Sequence, residues 1–270
     1  MNVKEYALQT LKQTSRTFFI PIKGLPEGLQ EAVTSAYLCM RAIDEVEDHP
    51  NLDRQLKTEI LSQMSLSLQA SKGNTTVEEI TAYISPYEDF IPEVSYNLGQ
   101  WALLAPNDIA PRVWDATASM ADRMAYWANR NWRIDTPAQL DQYTFSVAGA
   151  VGLLLSDLWG WYDDTQTSRE EAIGFGRGLQ AVNILRNHKE DRMRGVSFFP
   201  EQWQLEDMFD YARYNLSLAD SYTESLPKGP ALSFCQIPLT LAHATLDVMA
   251  LGKPKLTRDQ VMALLAKIAS

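Results

Sequence analysis

Tyr37-Leu38-Cys39-Met40-Arg41-Ala42-Ile43-Asp44-Glu45-Val46-Glu47-Asp48 is the stretch that decides how this chain is read. At about 3.6 residues per turn, Tyr37, Arg41, Asp44, Glu45 and Asp48 share one helical face, while Leu38, Ile43 and Val46 point away from it. The period is that of a helix with one polar stripe, not of a strand. Asp44 and Asp48 stand four residues apart, where like charges repel. Two uses of such a face are open. It can be a solvated acidic helix end with Arg41 in helical ion pairs, or two carboxylates that each offer an oxygen to a hard divalent cation. Mg²⁺ suits the second, because it takes oxygen ligands, few of them carboxylates, and fills its shell with water and phosphate oxygens.

Working outward, Gln180-Ala181-Val182-Asn183-Ile184-Leu185-Arg186-Asn187-His188-Lys189-Glu190-Asp191 repeats the theme. Gln180, Asn183, Asn187 and Asp191 fall on one face, with Glu190 beside them. This face is either a buried amide network that fixes helix packing or a second place for metal and phosphate. The run Arg192 to Pro200 places further cations, Arg192 and Arg194, downstream of it. Ser15, Arg16 and Thr17 are candidate donors to a diphosphate, or plain loop residues.

The helical period extends along the whole chain. Helices are expected over about 3–14, 30–47, 52–71, 112–129 and 168–189, among roughly ten to twelve segments bounded by Pro, Gly and polar runs. A loop is expected over 21–28 and another over 72–76, where Thr76 is placed to cap the next helix. Thr257 to Gln260 reads as a capping box before a last amphipathic helix. Small residues at 148, 149, 150 and 152 allow a kink or a close backbone approach. Gly174, Gly176 and Gly178 follow no strand, so they are helix-packing glycines rather than a nucleotide loop. No repeat, linker or strand pattern divides the chain. An all-α fold in a single domain over 1–270 is the expectation.

Composition excludes other classes. The net charge of -10 argues against nucleic acid, and an acidic protein that takes an anionic substrate needs a cation as mediator. Cys39 and Cys235 sit in apolar surroundings and are expected as buried free thiols, which fits a reducing cytoplasm. The longest apolar run, 147–155, is too short to span a bilayer, and the start of the chain lacks a signal-peptide pattern. A cytoplasmic protein is expected, with transient contact at a membrane surface open if the substrate is lipid-like. His49, His188 and His243 lack zinc spacing. His49 is expected at a helix stop and His243 inside a core helix. The abundant Trp, Tyr and Phe suit a packed core first and an apolar pocket second.

At these residues the chain resembles the squalene/phytoene synthase family. The resemblance rests on Ser15 to Phe19, the Tyr37, Arg41, Asp44, Asp48 spacing, Tyr143 with Val147, Gly149 and Gly152, and Gln180, Asn183 and Arg186 through Pro200. It implies a class I terpenoid synthase bundle with aspartate-rich helices over a deep apolar pocket, and Mg²⁺-dependent head-to-head joining of allylic diphosphates. It implies Tyr37, Arg41, Asp44, Asp48, Asn187 and Asp191 as catalytic residues, four of them (Asp44, Asp48, Asn187, Asp191) at metal. Ser15, Arg16, Thr17, Phe18, Phe19, Tyr143, Val147, Gly149, Gln180, Asn183 and Arg186 are implied at the substrate. Two positions depart from the family pattern. Asn187 stands where an aspartate is usual, and Val196 where many members carry arginine. An amide oxygen is a weaker Mg²⁺ ligand than a carboxylate, unless Glu190 compensates. The stretches 42–50 and 122–127 are also similar to a Bacillus branch of the family described as farnesyl diphosphate phosphatases. The expectation is therefore farnesyl diphosphate hydrolysis to farnesol and pyrophosphate. The alternatives are a head-to-head synthase making presqualene diphosphate, dehydrosqualene or phytoene, a cyclase or aromatic prenyltransferase on the same fold, and a non-catalytic isoprenoid-binding protein.

Overall fold

The computed structural model describes residues 2–193, 195–253 and 255–269, with the side chains of Arg16 and Ala269 outside that description. Arg194, one of the expected downstream cations, lies outside the described residues, as does the side chain of Arg16. The described residues form helices and no strand. They group into two compact units, Met1–Asn131 with Gly160–Asp163, and Trp132–Trp159 with Asp164–Ser270.

In the first unit the helices are α1 (Val3–Thr14), α2 (Arg16–Lys23), α3 (Leu29–Glu47), α4 (Arg54–Ala70), α5 (Val77–Thr81), α6 (Glu93–Tyr96), α7 (Leu98–Ala102) and α8 (Ala110–Asn129), with a 3₁₀ turn at Ser85–Phe90. α3 is the hub and packs on α1, α2, α4, α6, α7 and α8. Its sequence explains this. Leu38, Cys39, Ala42, Ile43 and Val46 are fully buried, and the small residues Ala32, Ser35, Ala36 and Ala42 let neighbours come close. The Ser35 hydroxyl donates to the Trp101 carbonyl at 2.7 Å and Ser95 to the Ala42 carbonyl at 2.7 Å, which pins α7 and α6 to α3. Each buried large apolar side chain stabilises by roughly 1.5–3 kcal/mol, so this hub carries much of the unit. Lys57 on α4 is buried and donates to the Glu47 carbonyl, closing the end of α3.

The expected loop over 21–28 begins later than expected, because α2 continues to Lys23 with Pro21 inside it. Ser15 caps α2 by accepting from the Phe18 amide at 3.1 Å. Proline removes one backbone donor but holds φ near the helical value, so a two-turn helix accommodates it. Thr76 caps α5 through a capping box, as expected.

The second unit holds α9 (Pro137–Thr144), a π-helical turn (Phe145–Gly149), most of α10 (Ala150–Asp163), α11 (Arg169–Met193), α12 (Leu205–Ser225), α13 (Pro230–Ala250) and α14 (Arg258–Ala269). α11 is its axis and packs on the π turn, α9, α12 and α13. The glycines make that packing possible. A Cβ on Gly176 would lie 2.0 Å from the Ala148 carbonyl oxygen, and one on Gly152 would lie 1.9 Å from that of Ala172. A Cβ on Gly174 would lie 2.4 Å from Leu218 of α12, and one on Gly178 would lie 3.0 Å from Leu216. The π turn falls where the run of small residues was expected to bend the chain.

Cys39 and Cys235 are buried and free, and burial pushes the Cys39 thiol up to about 12, which leaves it inert. Trp101, Trp127 and Trp159 are fully buried and serve the cores. His243 departs from expectation. It is half-exposed on α13 and meets Asp220 of α12 at 2.7 Å rather than packing in a core. No helix among the described residues is long and apolar enough to cross a membrane.

Candidate active site

In the first unit the polar stripe of α3 is as the sequence places it. Tyr37, Arg41, Asp44 and Glu45 are half-buried and Asp48 is exposed at the C-cap, while Leu38, Ile43 and Val46 are fully buried behind them. Arg41 and Glu45 form an ion pair one turn apart. The Arg41 Nε atom is buried without a hydrogen-bond partner. Burial pushes the Asp44 carboxyl up to about 7; Arg41 opposes the rise, and Asp48 and Glu45 add to it. The ionised pair is therefore unfavourable by itself at neutral pH.

Residues of the Ser15 to Phe19 segment meet this stripe. The Phe18 ring lies 5.9 Å from the Tyr37 ring, tilted by 45°. Burial raises the Tyr37 phenol, and hydrogen bonds with Ser15 and Thr14 oppose that rise. Ser15, Phe18, Tyr37, Arg41 and Asp44 thus form one neighbourhood. Phe19 does not join them. Lys12 and Lys23 lie over its ring at 5.9 and 5.8 Å, and Thr17 is exposed.

In the second unit Gln180, Asn183 and Asn187 are half-buried along α11, Arg186 and Glu190 are exposed, and Asp191 is buried with 5% of its surface accessible. The Asn187 Oδ1 atom accepts from Arg186 Nε at 3.2 Å. Asp191 lines a cavity of about 360 Å³ together with Ile184, His188, Ser197, Phe198 and Trp203. The His188 ring is held by its Nδ1 atom 2.7 Å from the Leu185 carbonyl. Tyr143 is buried and stacks on Phe198 at 4.7 Å and 20°, which joins the end of α9 to the segment that follows α11. Val147 and Gly149 belong to the π turn itself, with Gly149 buried.

Sequence reading missed two features here. Phe198 and Trp203 lie outside both polar faces. The signal was an apolar run directly after Gly195, whose φ of 78° turns the chain back. The second is a polar clamp on the π turn. Tyr211 of α12 donates to Asp141 at 2.8 Å and meets the Thr144 hydroxyl at 2.9 Å, and Arg177 of α11 donates to the Asp141 carbonyl at 3.0 Å. No local pattern marks those partners, because they lie 36 to 70 residues apart.

The residues present fit a divalent cation carrying a diphosphate. Among the described residues no three acidic, histidine or cysteine side chains gather around one point. A Mg²⁺ held by one or two carboxylates, with phosphate oxygens completing its shell, needs no such cluster. A cation at Asp44 and Asp48 would relieve their repulsion. The orphaned Arg41 Nε donor would find an acceptor in a phosphate oxygen.

The squalene/phytoene synthase family model matches residues 11–208. The squalene synthase of Schizosaccharomyces pombe is 30% identical over 273 residues, covering 88% of this chain and 58% of that protein. The human squalene synthase is 28% identical over 265 residues, covering 87% and 61%. The chain spans about three-fifths of the length of these curated relatives. Among solved structures, TcSQS in complex with the ligand BPH1237 superposes with a TM-score of 0.78 at 22% identity, covering 98% of this chain and 85% of that one. A dehydrosqualene synthase in complex with a ligand gives 0.66 at 18% identity, covering 98% and 94%. At these identities the likeness shows a shared all-α fold.

Proposed function

The chain belongs to the squalene/phytoene synthase family, and on that premise we propose that it ionises an isoprenoid diphosphate with the help of Mg²⁺ and lets water capture the allylic cation. The product would be a prenyl alcohol, farnesol from farnesyl diphosphate, with pyrophosphate. The reading treats residues 1–270 as one catalytic domain, and places it with the phosphatase branch that the 42–50 and 122–127 stretches resemble.

The bond balance is simple. The C–O bond to the diphosphate breaks heterolytically and its electron pair leaves with the diphosphate. A water oxygen then bonds to the carbon and releases a proton to solvent. Bound Mg²⁺ supplies the charge that neutralises the leaving group. In the first unit Asp44 and Asp48 would hold such an ion; in the second unit Asp191 would, with Asn187 a neutral and weaker partner. Arg41, whose Nε lacks an acceptor, donates to the diphosphate, and Arg186 adds positive charge. Phe18 in the first unit and Tyr143 in the second are each an aromatic face available to an allylic cation. Phe19, with Lys12 and Lys23 over its ring, is a further candidate. No covalent enzyme nucleophile is needed.

The observation that carries hydrolysis is Asn187. The second acidic face has one carboxylate fewer than the family pattern, and the amide oxygen there is taken by Arg186. Joining two prenyl chains demands two bound diphosphates, whereas hydrolysis demands one. The second reading is head-to-head condensation. The relatives favour it, since those named are squalene synthases and a dehydrosqualene synthase. That support comes from other chains, and the Asn187 argument from this one. The first test is pyrophosphate release from farnesyl diphosphate by the wild type, Asp44→Ala and Asp48→Ala. Mg²⁺-dependent release by the wild type alone is expected. Tight binding with no release would move the chain to the non-catalytic alternative.

A further inference from the structure

The turn that ends α13 and the helix α14 after it combine exposed apolar side chains with cations, in a chain that is otherwise strongly acidic. Residues 251–270 hold Lys253, Lys255, Arg258 and Lys267 against the single acid Asp259, while the whole chain carries a net charge of -10. The backbone fixes part of this surface. Gly252 adopts φ 77°, its amide donates to the Met249 carbonyl at 2.9 Å, and the Lys253 amide donates to the Val248 carbonyl at 2.9 Å. This paired closure ends a helix rigidly. It leaves Leu251 with 76% of its surface exposed, and Lys253, Lys255 and Arg258 exposed beside it in sequence. Met262, one turn beyond Arg258, is 58% exposed. α14 packs on α13, yet none of its described residues is fully buried. Its apolar stripe of Val261, Leu264, Leu265 and Ile268 is only half-covered.

We infer that this end of the second unit docks on an anionic phospholipid surface, with Leu251 and Met262 entering the interface and Lys253, Lys255 and Arg258 meeting the headgroups. The chemistry selects this occupant. An amphipathic helix with cations around its apolar residues suits the headgroup boundary of an anionic bilayer. A bilayer accepts protruding Leu and Met side chains without a matching pocket. Charges more than about 10 Å from the surface are screened at ordinary ionic strength and do not prevent the approach. The acids nearest in sequence are Asp247 and Asp259, both exposed. The inference does not depend on which reaction the enzyme performs.

The test is sedimentation of the full chain with vesicles of phosphatidylcholine alone and of an equimolar mixture with phosphatidylglycerol. Binding is expected to the mixed vesicles only and to fall with added salt. Lys253→Gln, Lys255→Gln and Arg258→Gln together should weaken it on the order of 100-fold, from roughly fivefold per cation. Leu251→Ser with Met262→Ser should weaken it about tenfold or more, since two buried apolar side chains are lost. All five positions are exposed, so melting temperatures should match the wild type. Absence of binding to the mixed vesicles, or equal binding by both variants, overturns the inference. So does concentration-dependent dimerisation that Leu251→Ser abolishes without any vesicle binding, since the patch would then serve a second copy of the chain. Turnover in vesicle-free buffer is expected to be unchanged in these variants, so failure here is distinct from failure of the enzymatic reading.

Discussion

Gly176→Ala is the substitution whose outcome the geometry constrains most tightly. The added Cβ would sit 2.0 Å from the Ala148 carbonyl oxygen, 2.5 Å from its carbon and 2.9 Å from the Gly149 nitrogen. Ordinary contact begins at 3.4 Å, so α11 and the π turn must part by about 1.4 Å at that point. All three atoms are backbone, so no side chain can rotate away. Overpacking of this kind costs roughly 1–3 kcal/mol, and a clash with backbone belongs at the upper end. Alanine returns about 1 kcal/mol through helix propensity. The net loss of about 2 kcal/mol corresponds to a fall in melting temperature of roughly 4–8 °C for a chain of this size. Gly73→Ala, where a Cβ meets nothing within 4 Å, is the control and should shift it by roughly 2 °C at most. Thermal melts followed by circular dichroism measure both. An unchanged or higher melting temperature for Gly176→Ala would refute the close packing of α11 on the π turn.

Three further outcomes follow from the site. The raised Asp44 carboxyl makes metal-free wild type lose stability as pH climbs from about 4, near the unfolded value, through about 7, because the folded state holds the proton longer. Asp44→Asn should lose that part of the pH dependence, and Mg²⁺ should raise the melting temperature of the wild type at pH 8 but not of the variant; parallel profiles would remove Asp44 from the metal site. Asn187→Asp should strengthen Mg²⁺ dependence or bring condensation products, and an unchanged metal titration and product profile would show that this position does not decide the outcome. Tyr211→Phe removes the hydroxyl that joins Asp141 and Thr144, at an expected cost of roughly 1–3 kcal/mol in a denaturant titration. A loss below about 0.5 kcal/mol would mean that this clamp does not hold the π turn.

Much of this was legible in the sequence because it is local. The stripe of α3 is a matter of period, and the fully buried Leu38, Ile43 and Val46 lie where 3.6 residues per turn puts them. The capping boxes at Thr76 and Thr257 and the packing glycines of α11 are local in the same sense. Helix number was not legible. Fourteen α-helices stand among the described residues against the ten to twelve expected, because α5, α6 and α7 are four or five residues long and too short to show a period. Pro21 misled for a different reason. Proline reads as a breaker, but α2 needs only two turns and loses one bond to it. The site divides along the same line. Face residues were visible as spacing, while the Tyr143 and Phe198 stack and the Tyr211 clamp arise from long-range packing. The exposure of His243 likewise depends on Asp220 of a different helix.

If water takes the cation of a metal-held isoprenoid diphosphate, the product is a prenyl alcohol. Mass spectrometry of the products formed from farnesyl diphosphate with Mg²⁺, with and without NADPH, tests it most directly. Farnesol and pyrophosphate as the main products in both cases are predicted. A product that joins two prenyl chains, as presqualene diphosphate, dehydrosqualene or squalene, would contradict it.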